Sequence, residues 1–228
     1  MKVSIIIPTF NEGKTVLQVI KRVQKLPFEK EIIVINDGSQ DNTASKLDKL
    51  KGNGIVVHTH VKNQGKGAAV RTGLRKATGE IIAIQDADLE YCPEELCKLV
   101  NPILAGEADV VFGSRFLGEE RPSFGSYGIY YLGNRFLTHL TRVLFSTNIT
   151  DLNTCYKVFH KRALRGVKLH GNRFELDPEI TAKVLRKKVR FLEFPVSYKG
   201  RSRKDGKKIT WKDGIRASLT LIRYRMFR

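Results

Sequence analysis

Along the first half of the chain, short β-branched runs alternate with stretches of helical period, and a parallel sheet joined by right-handed helical crossovers fits this rhythm. Residues 3–8, Val-Ser-Ile-Ile-Ile-Pro, are apolar at all but one position and read as a strand buried on both faces. Residues 13–24 place Val16, Leu17, Ile20 and Val23 on one helical face, and residues 32–36 read as the second strand. A helix at 41–50, a strand at 55–60, a helix at 66–77 and a strand at 80–85 repeat the unit. Three crossovers thus bring four strands into one parallel sheet. Residues 93–104 read as helical and 109–113 as a further strand. The expected fold class is α/β, a mostly parallel, Rossmann-like central sheet flanked by helices.

Beyond Ser114 the rhythm changes. A Gly-rich loop to Gly128 precedes an amphipathic segment with Leu132, Phe136, Leu140 and Val143 on one side and Arg135, His139 and Arg142 on the other. Residues 179–186 read as a helix, 189–196 as a strand and 199–208 as a polar, basic loop. In the last segment Trp211, Ile215, Leu219, Ile222 and Met226 form a helical stripe flanked by Lys212, Arg216 and Arg223. Each stripe has two readings, packing in the core or lying in a lipid interface. With 228 residues, 41% of them hydrophobic, the chain can close one sizeable core with an appendage. The expected division is a main domain over 1–200 and, over 201–228, a basic loop with a helix facing a membrane or a membrane partner.

No run approaches the roughly 18 to 20 apolar residues that span a bilayer, and Met1 leads directly into a strand-like run rather than a signal peptide. The expected location is cytoplasmic, peripherally associated with the cytoplasmic face of a membrane. Cys92, Cys97 and Cys155 are odd in number and lack CxxC spacing, which disfavours a disulfide framework or a zinc site. The sequon at Asn148 then reads as chance.

Charge divides unevenly along the chain. Residues 157–228 hold 22 Lys and Arg against 6 Asp and Glu, whereas residues 1–156 hold 19 against 17. So asymmetric a field attracts polyanions, whether nucleic acid, anionic lipid headgroups or phosphorylated substrates.

In open α/β sheets, ligands bind beyond the carboxyl ends of the strands. Here those ends carry Pro8-Thr9-Phe10-Asn11-Glu12, Asp37-Gly38-Ser39 and Asp86-Ala87-Asp88. Carboxylates gathered in one crevice repel unless something positive joins them. Asp86, Asp88 and Glu90 follow a buried strand, where hard oxygen donors spaced two apart can converge on Mg²⁺ or Mn²⁺ while the backbone turns. A cation held there can bind a diphosphate and neutralise charge on a departing nucleotide.

Five segments, IIIPTFNE (5–12), VINDGSQDNT (34–43), NQGKGAAVRTG (63–73), QDADLEYCPEEL (85–96) and VVFGSRF (110–116), together resemble family 2 glycosyltransferases. Within that family the resemblance is to polyprenyl-phosphate sugar synthases of the dolichol-phosphate mannose synthase type. It implies the GT-A fold over 1–200 and inverting transfer of a hexosyl group from a nucleotide-diphosphate sugar to a polyprenyl phosphate. By motif, Pro8, Thr9, Phe10, Glu12, Asp37, Lys66 and Asp86 would bind the nucleotide sugar, and Asp86, Asp88 and Glu90 the metal. Asp86, Asp88, Arg115 and Arg201 would be catalytic, and Arg115, Asn134, Arg201 and Lys208 would hold the acceptor phosphate. Arg203 and Lys207 belong to the same basic loop. Glu90 departs from a glutamine common in the family, and Tyr130 stands where some relatives have arginine, a loss that Arg135 or Arg121 would offset. DLNTCYK (151–157) and FELDPE (174–179) resemble acceptor-side segments, although Asp177-Pro178 also suits a helix start. Relatives often carry transmembrane helices after this point, so the expected partners include a membrane surface and a separate membrane subunit.

A phosphate acceptor also answers a chemical question. A sugar hydroxyl needs a general base beside it, whereas a phosphate monoester, with a second pKa of about 6, already carries a nucleophilic oxyanion. Positioning two anions that repel suits arginines. Transfer to a saccharide hydroxyl and a sugar-phosphate nucleotidyltransferase are the alternatives. Gly65-Lys66-Gly67 lacks the third glycine of a dinucleotide fingerprint. Nucleic-acid binding would use the basic tail but leave the acidic strand ends unexplained, so no nucleic-acid partner is expected. His58 and His60 read as ordinary strand residues.

Overall fold

β1 (Val3–Thr9) is buried along all seven residues, so both its faces need cover. In the computed structural model of the chain, which describes residues 1–50, 54–118, 128–200 and 211–226, that cover is two helical layers. Ile5 and Ile7 join a cluster with Val16, Val19, Ile20 and Val23 of α1 (Val16–Gln24) and with Leu96, Leu99, Val100 and Ile103 of α4 (Leu96–Leu104). Ile6 points the other way, meeting Ala69 of α3 (Lys66–Lys76) together with Ile33 and Ile35 of β2 (Lys30–Asn36). The period-2 side-chain alternation of a strand thus feeds two cores at once.

The sheet order is β3-β2-β1-β4-β6-β5-β7, with β3 (Ile55–Thr59), β4 (Ile81–Ile84), β5 (Val110–Ser114), β6 (Lys157–His160) and β7 (Phe191–Pro195). The four expected parallel strands pair in register, Ile5 opposite Ile32 on one side and Ala83 on the other. β6 runs antiparallel between β4 and β5, while β7 is parallel to β5. The sequence reading has no β6. Four residues, Lys-Val-Phe-His, are too short for a visible alternation, and the first is a lysine with 0% of its surface exposed.

Other elements fall near their expected places. α2 is Thr43–Asp48, and Pro93–Glu95 is a 3₁₀ turn that enters α4. α7 (Leu176–Leu185) starts three residues before the expected position, with Asp177 and Pro178 in its first turn, after the short α6 (Lys161–Leu164). α5 (Gly128–Phe145), α7 and α8 (Trp211–Met226) pack together on the α3 side, where Leu137, Ile180, Val184, Ala217 and Leu221 share a cluster. The three cysteines are free.

The two amphipathic stripes split between the readings open to them. In α5 the buried side is Asn134, Leu137, Thr138 and Thr141, whereas Leu132, Phe136 and Val143 are exposed and Leu140 is half-buried. In α8, Ala217 and Leu221 are buried, and Ile215, Leu219, Ile222 and Met226 face outward. Among the described residues no helix is long and apolar enough to cross a membrane.

At the amino end of β2, Glu31 accepts from Ser4 Oγ at 2.5 Å, Thr78 N at 2.7 Å and Lys2 Nζ at 3.0 Å. Burial alone would raise its carboxyl, but these donors prevail and lower it from an ordinary 4.5 to about 2. A depressed carboxylate contributes stability that is complete above its unfolded-state value and is lost as pH falls through its folded value. Glu31→Gln is therefore expected to lower the melting temperature clearly at pH 7 and little near pH 2. Thermal unfolding at both pH values checks this, and equal shifts would contradict it.

Candidate active site

The carboxyl ends of β1, β2, β4 and β5 open into one cavity of about 550 Å³, within the range of small-molecule sites. Its wall includes Pro8, Thr9, Phe10 and Glu12 after β1, Asp37 after β2, Lys66 at the start of α3, Asp86, Asp88 and Glu90 after β4, and Arg115 after β5.

The loops on the β1 and β2 side are tied to one another. Glu12 N donates to Thr43 Oγ1 at 3.0 Å and Asn11 N to Ser39 Oγ at 3.0 Å, while Thr15 Oγ1 reaches Ala87 O at 2.7 Å. Asp37 accepts from Gly65 N at 2.7 Å, Asn63 Nδ2 at 2.9 Å and Gln64 N at 3.0 Å. His60 Nδ1 lies 2.7 Å from the same carboxylate, with Nε2 3.0 Å from Thr72 Oγ1. Asp37 thus fixes the 63–65 turn as it lines the cavity. His60, just past β3, is a buried orienting group that the sequence reading missed; a histidine after a strand end near an Asp-Gly turn was the available signal. Gly65 has φ +102°, and a Cβ there would collide with Asn172 O, so only glycine fits.

At the tip of β4, Lys66 Nζ contacts both Asp86 oxygens, at 2.7 and 2.8 Å, and Cys155 Sγ at 3.0 Å. Burial alone would lower the Lys66 ammonium, but Asp86 holds it well above its usual range. Asp88 Oδ1 accepts from Glu90 N at 3.1 Å, and Glu90 Oε2 from Tyr198 OH at 2.8 Å. Leu89 between them has φ +61°, strain of about 1 kcal/mol or more for a bulky residue, and its side chain packs on the core. Asp86, Asp88 and Glu90 offer an all-oxygen donor set in one cavity, as a hard divalent cation prefers. Among the described residues, however, no three acidic, His or Cys side chains stand already gathered as a ligand cluster. Asp86 is engaged by lysine and Glu90 by tyrosine.

Across the cavity, Arg115 grips Asp151 bidentately, Nε to Oδ2 at 2.7 Å and Nη2 to Oδ1 at 2.8 Å. Asn134 Nδ2 adds a bond to Asp151 Oδ1 at 2.9 Å. Asp151 is 0% exposed; burial would raise its carboxyl, but Arg115 holds it below the usual range. Behind it, Glu193 accepts from Thr150 N at 2.7 Å, and burial pushes its carboxyl up to about 7. Lys157, buried at the start of β6, donates to Leu152 O at 3.1 Å and to Asp177 Oδ1 at 2.9 Å, fixing the segment between Asp151 and Cys155.

Pro8, Thr9, Phe10, Glu12, Asp37, Lys66, Asp86, Asp88, Glu90 and Arg115 all line the one cavity. Asn134 is set behind Asp151. Arg121, Arg201, Arg203, Lys207 and Lys208 lie outside the described residues, as does the Tyr130 side chain. Asn153, Cys155 and Phe174, from the segments expected on the acceptor side, also line the cavity, as do Tyr91, Arg173 and Tyr198, to which the sequence reading gave no individual role.

Removing the Asp151 carboxylate leaves the largely buried Arg115 charge unpaired. Asp151→Ala is expected to cost about 3 kcal/mol of stability, read from urea denaturation, with Asp151→Asn milder. An unfolding midpoint like wild type for Asp151→Ala would contradict this.

The dolichol-phosphate mannosyltransferase of Pyrococcus furiosus is 30% identical over 217 residues, 91% of this chain and 59% of that protein. The UDP-N-acetylglucosamine--dolichyl-phosphate N-acetylglucosaminyltransferase of Methanococcus voltae is 28% identical over 212 residues, 84% of this chain and 83% of that protein. Among solved structures, glucosyl-3-phosphoglycerate synthase from Mycobacterium tuberculosis, in complex with Mn²⁺, UDP and glucosyl-3-phosphoglycerate, superposes with a TM-score of 0.76. At 18% identity, over 100% of this chain and 81% of that one, it shows the GT-A fold. A family model matches residues 4–167, from β1 through the antiparallel strand, and by that match the chain belongs to glycosyl transferase family 2.

Proposed function

We propose that this chain transfers a hexosyl group from a nucleotide-diphosphate sugar to a polyprenyl phosphate, with Mg²⁺ or Mn²⁺, at a membrane surface. The carrying observation is that the acids Asp86, Asp88 and Glu90 and the bases Lys66, Arg115, Arg173 and Arg216 line the same cavity. A nucleoside diphosphate suits the acidic side when a cation accompanies it. A second phosphate suits the arginine side.

In this reading the β1 and β2 loops seat the nucleoside. Asp86, Asp88 and Glu90 would hold the cation, which neutralises charge developing on the departing diphosphate. Lys66, already on Asp86, sets that carboxylate's position and adds positive charge beside the diphosphate. Arg115, fixed by Asp151, presents a guanidinium of constrained orientation to the acceptor phosphate, and such preorganisation is worth most where two anions must be held together. A phosphate oxyanion needs no proton removed before attack.

α8 supports a lipid acceptor in particular. Asp213 and Arg216 line the cavity, while Ile215, Leu219, Ile222 and Met226 of the same helix face outward beside exposed Arg223. Leu132, Phe136 and Val143 of α5 add exposed apolar surface, with Arg135 and Arg142 nearby. Apolar side chains with arginines around them suit an anionic bilayer interface. A polyprenyl phosphate lying there would bring its headgroup to the cavity rim. The two relatives named for dolichyl-phosphate transfer favour the same acceptor class. The name of the phosphoglycerate synthase favours a second reading, a small soluble phosphate acid as acceptor. We place the catalytic unit in residues 1–200, with 201–228 as its surface-facing extension on the cytoplasmic face.

Separate incubations with GDP-mannose, UDP-glucose or UDP-N-acetylglucosamine, each with a divalent cation and polyprenyl phosphate, are expected to yield a lipid-linked sugar with at least one of these donors. Asp88→Ala should lower turnover by at least about a hundredfold, the scale of losing one preorganised charge at a reacting centre. Near-normal turnover would contradict the metal assignment, and product only with phosphoglycerate would select the second reading. Leu219→Glu places a charge on the exposed stripe without disturbing Ala217 or Leu221. It is expected to abolish co-flotation with anionic liposomes, and unchanged flotation would remove the membrane face.

A further inference from the structure

Glu179 is 1% exposed, in a helix whose neighbouring Leu176, Ile180 and Val184 are ordinary core residues. An aliphatic side chain would serve packing there at least as well, because burying a carboxylate is costly unless its partners are numerous and well aligned. Those partners come from three directions. Tyr224 OH of α8 donates at 2.8 Å, Lys183 Nζ at 2.5 Å, Gly171 N at 2.6 Å and His170 N at 3.0 Å. Burial alone would raise this carboxyl, yet these donors hold it below its usual range. α8 is fastened a second time by Arg186 Nη1 on Tyr224 O at 2.7 Å.

On its other side the 170–173 turn is pressed onto the amino end of α3. Asn172 O accepts from Ala68 N at 3.0 Å, and Arg71 Nη1 donates to His170 O at 3.0 Å. A Cβ on Gly67 would come within 2.6 Å of Gly171 O, so the two backbones are in direct contact. The turn then runs into Arg173 and Phe174, which line the cavity together with Gly65 and Lys66. An unbroken series of contacts leads from α8 through Glu179 and the turn to the lysine that holds Asp86.

We propose that Glu179 is a positioning residue that joins the seating of α8 to the shape of the nucleotide wall, so that tethering of Tyr224 strengthens nucleoside-diphosphate binding. The inference rests on the reading of the cavity as a nucleotide site. Coupling of this kind is reciprocal, and a bound nucleotide steadies α8 by the same factor by which α8 strengthens nucleotide binding. A surface that orders α8 thereby raises donor affinity without touching the donor.

The test uses Tyr224→Phe, which deletes one hydroxyl on a residue that is not part of the cavity wall, Glu179→Gln, and the double variant. Titration calorimetry with UDP and with GDP, each with Mg²⁺, reads affinity, and amide hydrogen exchange reads the 170–173 turn. Tyr224→Phe is expected to weaken the better-bound nucleotide about three- to tenfold, the effect of one hydrogen bond to a charged group, and to speed exchange at His170 and Gly171. The double variant should lose little more than Glu179→Gln alone, because both act through one carboxylate. A purely structural role would lower the melting temperature of the nucleotide-free protein and leave the dissociation constant of the folded protein unchanged. Wild-type affinity in Tyr224→Phe, or additive losses in the double variant, would overturn the inference. Failure of the wild-type protein to bind either nucleotide would instead overturn the reading of the cavity, and the inference with it.

Discussion

Three carboxylates around the cleft are each met by a cation from a distant part of the chain: Asp86 by Lys66, Asp151 by Arg115 and Asp177 by Lys157. An unpaired charge at such depth costs several kcal/mol, a large part of a domain's net stability. Pairing is therefore the condition under which these acids can be held near one another. It also fixes where each acid points. The antiparallel β6 is central to this arrangement, because Lys157 opens that strand and the 151–155 segment before it supplies both Asp151 and Cys155. Inserted between β4 and β5, β6 brings the arginine side of the cleft next to the Asp86 side.

The pairs also grade the cleft electrically. Toward β1 and β2, Asp37 is saturated by backbone and side-chain donors and organises structure. Toward β4, Asp86, Asp88 and Glu90 leave an acidic rim beside one lysine, while toward β5 and α8 the wall gains Arg115, Arg173 and Arg216. A doubly anionic donor with its cation and an anionic acceptor would meet along that gradient. Burial of the pairs shields them from salt, whereas the outward arginines of α5 and α8 remain open to screening.

Much of this was legible in the sequence where local pattern and long-range packing agree. Nearly unbroken apolar runs such as residues 3–8 marked the doubly covered strands, and Pro8, Thr9, Phe10, Glu12, Asp37, Asp86 and Asp88 at their ends line one cavity. β6 was hidden, because a buried lysine reads as surface until its partners are known. The direction of α5 was equally hidden: Leu132, Phe136 and Val143 look like a core stripe, but Asn134 and Thr138 turn inward because the 150–153 segment needs polar partners, Leu152 N donating to Thr138 Oγ1 and Asn153 N to Asn134 Oδ1. His60 and Glu179 act through side-chain contacts spanning 23 and 45 residues, which no local spacing encodes.

The most direct measurement is a crystal structure of the protein with UDP or GDP and Mn²⁺, using anomalous scattering to place the ion. The account predicts manganese between the diphosphate and the Asp86 and Asp88 carboxylates, with the nucleoside against Pro8, Phe10 and Asp37. Manganese and nucleotide bound away from the tip of β4, with that cavity empty, would contradict it.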